Sequence, residues 1–146
     1  MMRILIVNGP NLNLLGVREP DIYGAKSYRD LLREIRSHAK TTGLDVVCFQ
    51  SNHEGGIIDW IQRHARSAQG LVINPGALTH YSYALRDCIK GVGLPTIEVH
   101  ISDIHGREAF RSVSVIKDVC LHQISGKGFA GYFEAVDELV KGQKEK

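Results

Sequence analysis

Arg3-Ile4-Leu5-Ile6-Val7-Asn8 (RILIVN, 3–8) is an unbroken apolar run with a charge at one end and an amide at the other. A strand with one wet face alternates apolar and polar side chains. A run without alternation suits a strand covered on both faces, the normal condition of a parallel sheet. Working outward, the same β-branched signature recurs at Leu44 to Gln50, Gly70 to Asn74, Thr96 to Ile101 and Asp118 to Ile124, which predicts five strands. Between the first two, Ser27 is placed to cap a helix whose apolar residues Tyr28, Leu31, Leu32, Ile35 and Ala39 fall at helical spacing, with Gly43 as its stop. Ile57, Ile58, Ile61, Ala65 and Ala68 repeat the pattern. Tyr83 to Lys90 forms a third helix, and Tyr132, Val136, Leu139 and Val140 mark a last amphipathic one.

This βαβαβαβ order with a further βα predicts an α/β chain: a doubly wound, five-stranded parallel sheet with helices on both faces, in flavodoxin-like order. The length of 146 residues fits one domain, 1–146, with one core, and the closing KGQKEK (141–146) reads as a frayed tail. Hydrophobic residues at 43% and charged residues at 23% exclude disordered and coiled-coil classes. A net charge of +2 falls short of the basic excess of nucleic-acid binders, so no nucleic-acid partner is expected. No apolar run approaches the roughly 20 residues that span a bilayer, and the N-terminus lacks a signal layout, which predicts no membrane and a cytoplasmic address. Cys48, Cys88 and Cys120 contain no CxxC pair and read as reduced structural thiols.

In an open parallel sheet, ligands sit beyond the carboxyl ends of the strands. The loops there are rich in chemistry. After the first strand come Asn8, Gly9, Pro10 and Asn11, then a long stretch to Gly24 with Arg18 and Tyr23. After the third come Asn74, Pro75, Gly76, Thr79 and His80, and after the fourth His100, Ser102, Asp103, His105, Arg107 and Arg111. Glu98 and His100 lie two apart at a strand end and so project to one face, where a carboxylate can orient and charge an imidazole. Spacing alone fits an acid or a histidine satisfied by a backbone carbonyl, and the strand-end position favours the acid. Tyr23 beside Arg18 fits a general base whose phenolate a guanidinium stabilises, and equally a ring that pins its loop. His80 and Asn74 can hold hydroxyls or a carboxylate, or serve the turn. Arg107 and Arg111, four apart, would share a helical face and grip an anion, or form a solvated turn; Asp87 on the third helix is a hydroxyl acceptor or a surface charge.

Two motifs mislead. Gly126, Gly128 and Gly131 spell GxGxxG, the dinucleotide fingerprint, yet only 15 residues follow, too few for the second strand and the ribose-binding acid some 20 residues on. The motif reads instead as a close-packed strand-to-helix turn. His100 and His105 with Glu98 and Asp103 lack metal-site spacing, so no metal is expected. A flavin carrier would want a Ser/Thr-rich loop where this chain has NGPNLN, and a phospho-acceptor domain would want a strand-end Asp where Asn8 and Asn74 stand.

NGPNLNLLG (8–16), REPDIYG (18–24), QSNHEG (50–55), NPGALTH (74–80), EVHISD (98–103) and REAFR (107–111) together resemble the type II 3-dehydroquinate dehydratases, in order over nearly the whole chain. The resemblance implies a cofactor-free, flavodoxin-like subunit, a homo-oligomer assembled as a dodecamer of four trimers. It implies anti elimination of water from 3-dehydroquinate, through an enolate, to 3-dehydroshikimate, in the shikimate pathway or quinate catabolism. Tyr23 would then remove the C2 proton with Arg18 favouring its phenolate, and Asn11 would hold a water at the enolate oxygen. His100, supported by Glu98, would protonate the leaving hydroxyl. Asn74, Ile101 and Ser102 would hold the carboxylate; His80, Arg111 and Asp87, the last from a neighbouring subunit, would hold the ring hydroxyls; Arg107 would be a second cation near Tyr23. The chain departs from the family at Asp103, often Asn, and at Tyr81, often smaller.

Overall fold

The computed structural model describes residues 1–17, 21, 25–104 and 108–145. Its sheet is built from β1 (Arg3–Asn8), β2 (Asp45–Gln50), β3 (Gly70–Asn74), β4 (Thr96–His100) and β5 (His122–Ser125), all parallel, in the order β2-β1-β3-β4-β5. This is the doubly wound, flavodoxin-like order. The helices are α1 (Tyr28–Thr41), α2 (Glu54–His64), α3 (Tyr83–Val92) and α4 (Ala130–Lys144). The run that opened the sequence reading is the central strand, and Ile4, Leu5, Ile6 and Val7 are fully buried.

Alternation along the strands divides the interior into two layers. Ile4, Ile6, Val72, Ile97, Val99 and Ile124 pack against Leu31 and Ile35 of α1 and Tyr132, Ala135, Val136 and Leu139 of α4. Leu5, Val7, Leu71 and Ile73 pack on the opposite face against Ile57, Trp60 and Ile61 of α2 and Leu85, Cys88 and Ile89 of α3. Ser27 caps α1 with a reciprocal capping box: its Oγ accepts from the Asp30 amide at 3.1 Å, and the Asp30 carboxylate accepts from the Ser27 amide at 2.9 Å. Gly43 follows at φ 71°, the left-handed turn expected of it.

Three expectations need correction. The fifth strand does not start at Asp118. Lys117–Val119 is a single 3-10 turn, and Asp118 is ion-paired with Arg86. The pairing of β4 with β5 begins at Ile97 and His122, just after the Leu121 amide bonds the Thr96 carbonyl at 2.8 Å, so earlier residues have no strand beside them. The second helix stops as an α-helix at His64 and tightens into a 3-10 turn at Ala65–Ser67. α4 continues through Lys144, so the first residues of KGQKEK are helical.

Candidate active site

The carboxyl ends of β1, β3 and β4 frame a cavity of about 170 Å³ lined by Pro10, Asn11, Leu12, Leu15, Asn74, Gly76, Ala77, His100, Ile101, Ser102, Ile104 and Arg111. The two glycine-containing turns beside it interlock. The Gly9 amide donates to the Asn74 carbonyl at 2.8 Å, and a Cβ at Gly9 would stand 2.5 Å from the Pro75 carbonyl oxygen. Gly76, at φ 59°, would bring a Cβ within 2.9 Å of the Pro10 oxygen. The loops after β1 and β3 therefore touch backbone to backbone. Asn11 sits on that rim at φ 71°, left-handed without being glycine, and its amide donates to Asn52 Oδ1 at 2.9 Å. A non-glycine residue held there is a recurrent sign of function.

Glu98 and His100 meet as their spacing predicted: His100 Nε2 lies 2.5 Å from Glu98 Oε2, with Glu98 fully buried and His100 nearly so. Two hydroxyls complete the carboxylate's shell. Ser114 Oγ donates to Oε1 at 2.9 Å and lies 3.0 Å from Oε2, and Thr79 Oγ1 donates to Oε2. Burial pushes the Glu98 carboxyl up, but hydrogen bonding and charge from His100, then the Thr79 and Ser114 hydroxyls, outweigh it and hold the group below its ordinary value. It is thus an ionised partner for the imidazole. Thr79 and Ser114 escaped the site reading because their partner is distant in sequence, 19 and 16 residues away, and no local pattern marks a hydroxyl aimed at a carboxylate.

Asn74 is buried at the end of β3. Its Oδ1 accepts from the Gly76 amide at 3.1 Å, and its Nδ2 donates to the Tyr132 hydroxyl at 3.0 Å. Ile101 and Ser102 line the cavity beside it. The carbonyls of His100 and Ser102 accept from the Gly126 amide at 3.3 and 3.2 Å, and the Ile101 carbonyl from the Gly128 amide at 3.0 Å. Because a trans peptide sets C=O and the next N–H in opposite directions, the Ile101 and Ser102 amides point away from that glycine turn. The GxGxxG motif holds a loop in place here, as a strand-to-helix turn.

Arg111 lines the cavity from a 3-10 turn, Ala109–Ser112. Its guanidinium is ion-paired with Glu108 and lies 4.9 Å from the Phe110 ring centroid. His80 stands close by, Nδ1 at 2.7 Å from the Val113 carbonyl and its ring edge-on to Phe110. Asp87 is on the exposed side of α3 and does not line this chain's cavity. Tyr23, Arg18 and Arg107 lie outside the described residues.

A flavodoxin-like sheet whose strand-end crevice carries a buried carboxylate–imidazole pair, neutral amide donors and an arginine defines an enzyme of the α/β class. Residues 2–140 match the family model described as dehydroquinase class II. The chain is 56% identical over 140 residues to the 3-dehydroquinate dehydratase of Caldicellulosiruptor bescii, covering 95% of this chain and 97% of that one. It is 54% identical over 144 residues to the Thermotoga neapolitana 3-dehydroquinate dehydratase, covering 99% and 98%. The crystal structure of the type II dehydroquinase from Butyrivibrio crossotus superposes with a TM-score of 0.94 at 51% identity, covering 95% of this chain and 97% of that one. The chain belongs to the class II dehydroquinase family.

Proposed function

We propose that this chain is a hydro-lyase that removes water from 3-dehydroquinate to give 3-dehydroshikimate, by anti elimination through an enolate. The observation that carries the reading is the buried Glu98–His100 pair opening on a crevice shared with Asn11, Asn74 and Arg111. Hydroxide is a poor leaving group and needs a proton as it departs. With Nε2 bonded to the Glu98 carboxylate, Nδ1 is the ring nitrogen left to deliver that proton. Tyr23 is the base at C2. A free phenol has a pKa near 10, and lowering it by about 2 units takes ~2.7 kcal/mol of preferential phenolate stabilisation, the part assigned here to Arg18 and Arg107.

Developing charge on the enolate oxygen is met by a water held on Asn11. Asn74 with the Ile101 and Ser102 amides takes the carboxylate, and His80 and Arg111 take the ring hydroxyls. Neither metal nor organic cofactor has a part in this scheme, and the enzyme works in the cytoplasm. A homo-oligomer, in the family's form a dodecamer of four trimers, lets Asp87 serve a neighbouring subunit's site. The exposed apolar side chains Tyr81, Tyr83, Phe110 and Val113, around His80 and on α3, support contact between copies at that mouth.

The test is the ultraviolet absorbance of the enone product on addition of 3-dehydroquinate. Turnover unaffected by chelator and by borohydride is expected, the latter because no Schiff base forms on lysine. No turnover at high enzyme concentration would defeat the reading.

A further inference from the structure

We propose that Tyr132 is a positioning residue: its phenol, brought to the strand ends by the glycine-spaced turn after β5, sets the Asn74 amide so that one N–H is reserved for the substrate carboxylate. The inference rests on the dehydratase reading above.

The geometry determines every donor along the way. The Gly76 amide can only donate, so the Asn74 atom 3.1 Å from it is the oxygen and the atom facing Tyr132 is the nitrogen. The phenol oxygen therefore accepts from Asn74, and its own proton goes to Asn8 Oδ1 at 2.6 Å. Asn8 and Asn74 end neighbouring strands and are register partners, so one hydroxyl between them ties the two strand ends together. All three side chains are buried, Tyr132 and Asn8 completely. Burial raises the phenol above its ordinary value, so it stays a protonated link and not a base. An amide nitrogen carries two N–H groups. Tyr132 takes one, which leaves the second N–H of a residue that lines the cavity.

Gly131 precedes Tyr132 where α4 meets the sheet. A Cβ there would stand 3.3 Å from Val99 Cγ1 and 3.4 Å from Ile124 Cγ2, so the glycine lets the first turn of α4 lie against these side chains without displacing either. The motif that imitates a nucleotide fingerprint thus supplies the anchor of the site's carboxylate end.

The experiment compares Tyr132→Phe, Asn74→Ala and the double variant with wild type in the absorbance assay. Wild-type turnover is the control; its absence would defeat the dehydratase reading itself. Tyr132→Phe, folded by circular dichroism, is expected to raise KM about fivefold to tenfold with kcat within about twofold, as loss of a binding hydrogen bond does. In the Asn74→Ala background the same change should add nothing, because the phenol acts through Asn74. Affinity for the product by calorimetry replaces KM where turnover is too slow. An unchanged KM, a fall in kcat alone that tracks a lower Tm, or independent effects in the double variant would each overturn the proposal. Should Tyr132→Phe not fold, Asn8→Ala removes the phenol's acceptor, and an unaltered KM there overturns it equally.

Discussion

Four side chains hold the proton that the proposed reaction must deliver: His100, Glu98, Thr79 and Ser114. Alternation made the first two legible, since residues two apart on a strand share a face. The hydroxyls were illegible because two separate loops bring them in. Tyr132 was read only as an apolar helix position, because nothing in spacing tells a buried ring from a buried ring with a working hydroxyl. In Thr79→Val/Ser114→Ala the Glu98 carboxyl loses two donors, each worth about 1–3 kcal/mol at a buried charge. Its folded value lies below the ordinary 4.5, so its contribution to stability is fully present above that pH and is lost as pH falls through the folded value. Raising the folded value shrinks the contribution. The double variant should therefore have a lower Tm near pH 7 and a flatter acid limb, with the gap to wild type closing as pH falls through the carboxyl's folded value; parallel melting curves would count against the network. For the reaction itself, Tyr23→Phe should abolish turnover while keeping product affinity, and His100→Ala should nearly do so. Near wild-type rates in either, followed by enone absorbance, would remove that residue from its role.

Among the elements, the interlocked turns after β1 and β3 bear most on the site. Gly76→Ala meets two penalties, a left-handed backbone costing roughly 1–2 kcal/mol for a residue with a Cβ and a contact 2.9 Å from the Pro10 oxygen. We expect it to lower Tm and to cut kcat/KM more than its stability loss explains, because relieving the contact moves Asn11. Unchanged kinetics with a lowered Tm would place the glycine in folding alone. Strand and helix periods fix most boundaries in this chain, as RILIVN and the Ser27 cap show. Where tertiary partners decide, the sequence is silent: Asp118 to Leu121 is as strand-like as its neighbours, but β4 starts too late to pair with it. The GxGxxG segment was legible as a turn by counting residues, though its duty toward the carbonyls of 100–102 was not.

At the scale of the molecule, the proposed assembly makes a plain demand: light scattering should return a mass about twelve times 16.2 kDa, and a monomer that turns over at full rate would refute it. Asp87→Ala should then lower activity although Asp87 does not line its own chain's cavity. The strand alternation that splits the core also splits the machinery. Asn8 and Asn74 continue the rows of Ile6 and Val72, on the layer of α1 and α4, whereas Glu98 stands opposite Ile97 and Val99, with its hydroxyl partners from the loops beside α3. Grip on the ligand's carboxylate through Asn74 and delivery of the proton are thus tuned from opposite sides of a sheet one backbone thick. Selection can trade tightness for speed by repacking either side while leaving the other undisturbed, so changes made on the two sides should multiply in their kinetic effect rather than interfere.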